Sequence, residues 1–140
     1  MLLTRRRDIV ADAAVLGARL RGRGRPEFNH AALVIGSHGE LIEATSSGVR
    51  FSHLGRYLRE ERVIVSVLDG ADARGRAMAH AWRLRRRLDE WDLLAAVARA
   101  VAGAPPSRGL TPAQLVAACL HAGGWPIEPE HATMTDLQAL

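Results

Sequence analysis

Two short apolar runs joined by a tight turn restrict this chain more than any other stretch: "HAALVI", then "GSHG", then "ELIEAT", residues 30–45. Glycine at both ends of the turn, flanked by apolar and β-branched residues, reads as an antiparallel hairpin with strands over 29–35 and 40–45. With Gly36 opposite Gly39, Ala32 faces Glu43 and His30 faces Thr45. Side chains alternate along a strand. His30 and Glu43 then share one face as diagonal neighbours, within reach of each other. Ala31, Leu33 and Ile35 share the other face with Ile42 and Ala44. That face is apolar throughout and is expected to meet helices. A register shift of one residue puts the histidine and the glutamate on opposite faces, so their pairing tests the hairpin.

The rest of the chain supplies helices to cover such a sheet. A first helix is expected over 8–20, where Ile9, Ala13, Leu16 and Leu20 recur at helical spacing, with a short strand at 8–10 as a variant of its entry. A second spans 72–88 with Ala77, Ala81, Leu84 and Leu88 as its stripe. "EWDLLAAVARAVAGAPP" reads as a third, ended by Gly103 and two prolines. "LTPAQLVAACLHAGGWP" is the best-marked helix. Thr111 is its N-cap, Pro112 fits the first turn, Gln114 completes a capping box, and Gly123-Gly124 stop it. A short final helix is expected behind Thr135. "SSGVRFSHLGRYLREE" reads as a loop with a short helix at its end, and "RVIVSVL", 62–68, as a strand internal to the sheet. The expected class is α+β, one domain over 1–140, with a small antiparallel sheet packed against helices.

Composition narrows the function classes. The only cysteine is Cys119, and no Cys/His cluster has zinc-site spacing, so neither an internal disulfide nor a metal or other cofactor is expected. The 19 basic residues are all arginine, and the net charge is +4. Clusters at 5–7, at Arg19, Arg21, Arg23 and Arg25, and at Arg83 with 85–87 leave an arginine-mediated nucleic-acid binder open as an alternative. In a chain without lysine, arginine is the default surface cation, which weakens that signal. Asp12 interrupts the mildly apolar N-terminal stretch, so a signal peptide is not expected. No run reaches the ~20 apolar residues of a membrane span. A cytoplasmic or virion-associated location is the corresponding expectation.

The order of motifs resembles a known family. "NHAALVIGSHGELIEATSSGVRFSHLGRYLREERVIVSVL" is similar to the first half of the circularly permuted NlpC-type papain-like hydrolases, the YiiX/YaeF-like group. That group has a strand opening on His, a Gly turn, a second strand ending Glu-Ala, and a Gly-Val-Arg segment. "RRRDIV" resembles its opening Gly-Asp-Ile-Val and "EWDLLA" its aromatic-Asp segment. "LTPAQLVAACLHAGG" resembles its helix beginning Cys-Ser-Glu-Leu-Val, and "TMTDLQAL" its closing Thr-Pro-x-Asp-Leu. The likeness runs over nearly the whole chain, and the order of the motifs carries it.

The resemblance implies a papain-like fold with His30 as base and Glu43 as the residue that orients it. It also implies a thiolate nucleophile at the N-terminus of the 111–122 helix, close to His30, where the helix end and the imidazolium lower its pKa. Here the alignment puts Pro112 at that position, beside Thr111, whose hydroxyl a cap already engages. Cys119 lies seven residues further along, roughly 10 Å down the helix axis, among core residues. His121 is on a different side of the helix from it. The expectation is an inactive, cysteine-less member with a vestigial His30–Glu43 pair, working as a binding or structural component of a protein assembly such as a phage particle. The alternatives are an active amide or thioester hydrolase with another nucleophile, acting on peptide, peptidoglycan or lipid, and the nucleic-acid binder.

Overall fold

The computed structural model describes residues 1–5, 27–45, 48–59, 62–65, 69–84 and 110–140. The helix expected over 8–20 and the one read from "EWDLLAAVARAVAGAPP" lie outside these residues, as does the end of the one expected over 72–88.

The hairpin forms in the expected register. Strands β2 (His30–Val34) and β3 (Glu40–Thr45) pair antiparallel with Ala32 opposite Glu43 and Leu33 opposite Ile42. Gly39 takes a φ of 90°, a left-handed conformation that costs glycine little, and Ile35 N donates to Glu40 O across the turn. Three further strands extend the sheet. They are β1 (Leu2–Arg5), β4 (Gly48–His53) and β5 (Arg62–Val65), and the order is β4-β3-β2-β1-β5 with every neighbour antiparallel.

Two of these strands correct the sequence reading. The segment read as a loop after Thr45 is β4, because Gly48 at φ 95° turns the chain straight back along β3. The strand read as internal to the sheet is β5, which pairs only with β1 among the described residues and leaves Val65 49% exposed. The internal place beside β2 belongs instead to β1. Four residues at the chain start carry too little alternation to announce a strand.

Helices α1 (Ala71–Leu84) and α2 (Pro112–Gly123) pack on each other, and α2 packs on β2 and β3. Ala77, Ala81 and Leu84 are the buried stripe of α1, as their spacing predicts. The capping box of α2 is complete. Thr111 Oγ1 accepts from Gln114 N, and Gln114 Oε1 accepts from Thr111 N. Gly124 closes the helix at φ 103°, and Arg76 of α1 donates to Gly123 O at 2.6 Å. Gly123 itself lies against α1, where a Cβ would come within 2.8 Å of Ala73 O. The last helix, α3 (Met134–Gln138), is capped by Thr133 rather than Thr135, because Asp136 at the third helical position completes its box.

The two sheet faces differ. Ala31, Leu33, Ile42 and Ala44 join Leu115, Val116, Cys119 and Leu120 of α2 in the main core. Leu2, Ala32 and Leu41 project from the other face into a smaller cluster with Tyr57. No helix of the described residues is long and apolar enough to cross a membrane.

Candidate functional site

Hairpin parity puts His30 and Glu43 on the face of the smaller cluster, and both are buried, with Glu43 0% exposed. His30 Nε2 donates to Glu43 Oε2 at 2.9 Å. Two residues singled out for no role in the sequence complete the network. Arg50 stands directly opposite Glu43 in the β3–β4 ladder, and its Nε donates to Glu43 Oε1 at 3.1 Å. Tyr57 donates its hydroxyl to Glu43 Oε2. Its oxygen lies 3.3 Å from His30 Nε2, and its ring stacks on the imidazole at a centroid distance of 5.7 Å and an interplanar angle of 16°.

The turn that delivers Tyr57 is stitched to the hairpin. A single 3-10 turn, Leu54–Arg56, follows β4. Leu54 N donates to Gly39 O, and His53 Nε2 donates to His38 O at 2.7 Å, which ties the turn to 36–39. His53 Nδ1 accepts from Gly55 N and caps the turn. Tyr57 N then donates to Leu54 O, and the chain folds back so that the Tyr57 ring covers Ala32 and Leu41. Arg50 was legible only as part of a Gly-Val-Arg segment. Reading β4 as a strand would have exposed it as Glu43's cross-strand partner. Tyr57 reaches Glu43 through turn geometry, and no periodicity in the sequence marks it.

The electrostatics follow from these contacts. Burial pushes the Glu43 carboxyl up, but hydrogen bonds from His30 and Tyr57 and the charge of His30 outweigh it and hold the carboxyl at about 2. The buried Ser52 hydroxyl sits close enough to help lower it, yet makes no complete hydrogen bond. An ionised carboxylate only accepts hydrogen bonds, so the hydrogen between Glu43 and His30 belongs to Nε2. In the neutral imidazole the lone pair is then on Nδ1, and that nitrogen is the one able to act as a base.

The pair and the helix that the family resemblance would bring together stand on opposite faces of the sheet. α2 covers the opposite sheet face, through Ala31, Leu33, Ile42 and Ala44, while His30 and Glu43 project away from it. The Thr111 hydroxyl is engaged in the capping box, and among the described residues no hydrogen bond joins it to His30 or Glu43. Pro112 occupies the first turn and carries no nucleophile.

Cys119 is 0% exposed, and burial pushes its thiol up to about 12. It is expected to be inert to alkylating agents at neutral pH in the native state, since only the thiolate attacks. Cys119→Ala is expected to cost on the order of 1 kcal/mol, as a small core deletion does. Thiol labelling kinetics and urea unfolding check both; fast labelling in native buffer would show that the thiol is not core. Among the described residues no group of His, Cys, Asp and Glu is arranged to hold a metal ion.

Comparison with family models, with curated proteins and with solved structures finds no match for this chain.

Proposed function

We propose that the chain is a non-catalytic relative of the permuted NlpC-type papain-like hydrolases, serving as a binding or structural component of an assembly such as a phage particle. The papain-like assignment is part of the proposal. It rests on the order of sequence motifs, with which an α+β domain holding a small antiparallel sheet is compatible. One observation carries the functional half. The His30–Glu43 pair is formed and fully hydrogen-bonded on the Glu43 side, while none of the nucleophile positions considered supplies an attacking group to it. Pro112 has none, Thr111 is committed to its cap, and Cys119 is a neutral core thiol. Among the described residues the pair is then a buried polar network without a nucleophile at any of these three positions, which supports a binding or structural role over covalent catalysis.

The direct test is turnover of ester, thioester and amide acyl reporters by the wild-type chain, His30→Ala and Cys119→Ala. The expected result is hydrolysis no faster than that of His30→Ala in all cases. Turnover lost in His30→Ala and kept in Cys119→Ala would overturn the reading in favour of a hydrolase with an unorthodox nucleophile.

Restoring a cysteine probes the geometry separately. In a Cys119→Ala background, Pro112→Cys places a sulfur at the positive end of α2. Its thiol pKa is expected to fall below the ordinary value of about 8.5. Adding His30→Ala is expected to leave that pKa unchanged, because His30 projects from the far face of the sheet. The pH dependence of alkylation measures both. A thiol that responds to His30 would show that the helix end and the pair converge, as they do in the active hydrolases.

A further inference from the structure

The residue facing His30 on its other side is Thr4. It stands directly opposite His30 in the β1–β2 ladder, on the same sheet face, and is 0% exposed. Its Oγ1 is buried, and among the described residues it has no hydrogen-bond partner. On His30, both bonds end on Nε2, and among the described residues none ends on Nδ1. Side chains directly opposite in an antiparallel ladder have Cβ atoms about 4.5–5.5 Å apart. Thr4 and His30 thus stand opposite each other in one ladder pair, and among the described residues neither Thr4 Oγ1 nor His30 Nδ1 has a hydrogen-bond partner, the other included.

A buried hydroxyl left unpaired is costly, and native structures satisfy such groups with a protein group, ordered water or a ligand. We propose that one hydroxylic molecule, water or an alcohol, bridges Thr4 Oγ1 and His30 Nδ1. The chemistry of the two atoms selects this class. Nδ1 of the neutral imidazole needs a donor and Nδ1–H of the charged form needs an acceptor; a hydroxyl serves as either. An anion is disfavoured by the ionised Glu43 on the far side of the ring. One imidazole nitrogen and one hydroxyl are too few ligands for a metal ion.

The inference goes beyond the proposed function and does not depend on it. It concerns what the base nitrogen holds, whether or not an acyl substrate is ever turned over. The bridging hydroxyl is the proton donor that the basic nitrogen of the pair addresses.

The experiment is NMR on the full chain, wild type, Thr4→Val and Thr4→Ser, with thermal unfolding alongside. The probes are water itself and methanol. A resident water gives a cross-relaxation peak between the water resonance and the His30 ring protons in wild type, lost in Thr4→Val. The Nδ1 nitrogen shift moves in Thr4→Val and returns toward wild type in Thr4→Ser, and Tm falls in Thr4→Val more than in Thr4→Ser. No water peak, but a saturable shift of Nδ1 with methanol that Thr4→Val abolishes, assigns the bridge to an added alcohol and supports the same site. The absence of both the water peak and the methanol response overturns the proposal. So does a Thr4→Val chain that is more thermostable with an unmoved Nδ1 signal, because the hydroxyl is then an idle buried group. Should Thr4→Val fail to fold, the wild-type water and methanol measurements decide alone.

Discussion

Replacing Glu43 by alanine is expected to cost about 3–5 kcal/mol of folding stability, the usual loss when one partner of a buried charged pair is removed. The carboxylate is 0% exposed and accepts from His30, Tyr57 and Arg50. Its removal strands the His30 Nε2–H and the Tyr57 hydroxyl in a buried cluster and leaves a cavity between them. Arg50 contributes less to the loss, because its side chain is 36% exposed and turns to water. A domain is stable by only about 5–15 kcal/mol, so this one change reaches a large part of the total. Urea unfolding with an unchanged slope measures it. The combined variant Glu43→Leu, His30→Leu, Tyr57→Phe is expected to regain most of the loss, since apolar groups of similar size need no partners. A loss below about 1 kcal/mol for Glu43→Ala would mean that the network is solvated in solution.

Acid is expected to weaken the fold through the same carboxylate. Its folded pKa of about 2 lies below the ordinary 4.5. A depressed carboxyl pKa means that the folded state holds the proton less tightly than the unfolded chain does. The stabilisation is therefore complete above pH 4.5 and disappears as the pH falls through about 2. The gap between those two values corresponds to roughly 3 kcal/mol. Unfolding free energies measured in urea from pH 7 down to pH 2 should fall across this window in the wild type. Glu43→Gln starts lower and should show a flatter curve, because no proton binds at that position. Parallel curves for the two chains would place the acid sensitivity elsewhere. The Tyr57→Phe chain separates the contributions, since it removes one of the donors that hold the carboxyl down while keeping His30.

Much of this site was written in the sequence, for reasons of parity and local chemistry. Side-chain alternation and a turn between two glycines placed His30 and Glu43 on one face, and the observed register, Ala32 opposite Glu43, is the one that alternation demands. The same alternation assigned Ala31, Leu33 and Ile42 to the helices. Thr111, Pro112 and Gln114 spelled out a capping box, whose bonds span three residues and need no tertiary help. Helical spacing alone put Cys119 among Leu115, Val116 and Leu120.

What lay beyond the sequence depended on contacts between distant segments. β1 has four residues, too short for a pattern, and it is a strand because β2 and β5 flank it. β4 carries Gly48, Arg50 and Ser52 among its apolar residues, a composition that reads as loop until β3 pairs with it. Tyr57 meets Glu43 only because His53 and Leu54 bind the 36–39 turn and bend the chain back over the sheet. The expected convergence of the pair on the end of α2 came from family likeness, and alternation argued against it from the start. A helix that packs on Ala31 and Leu33 lies across the sheet from His30, since adjacent residues of a strand point to opposite faces.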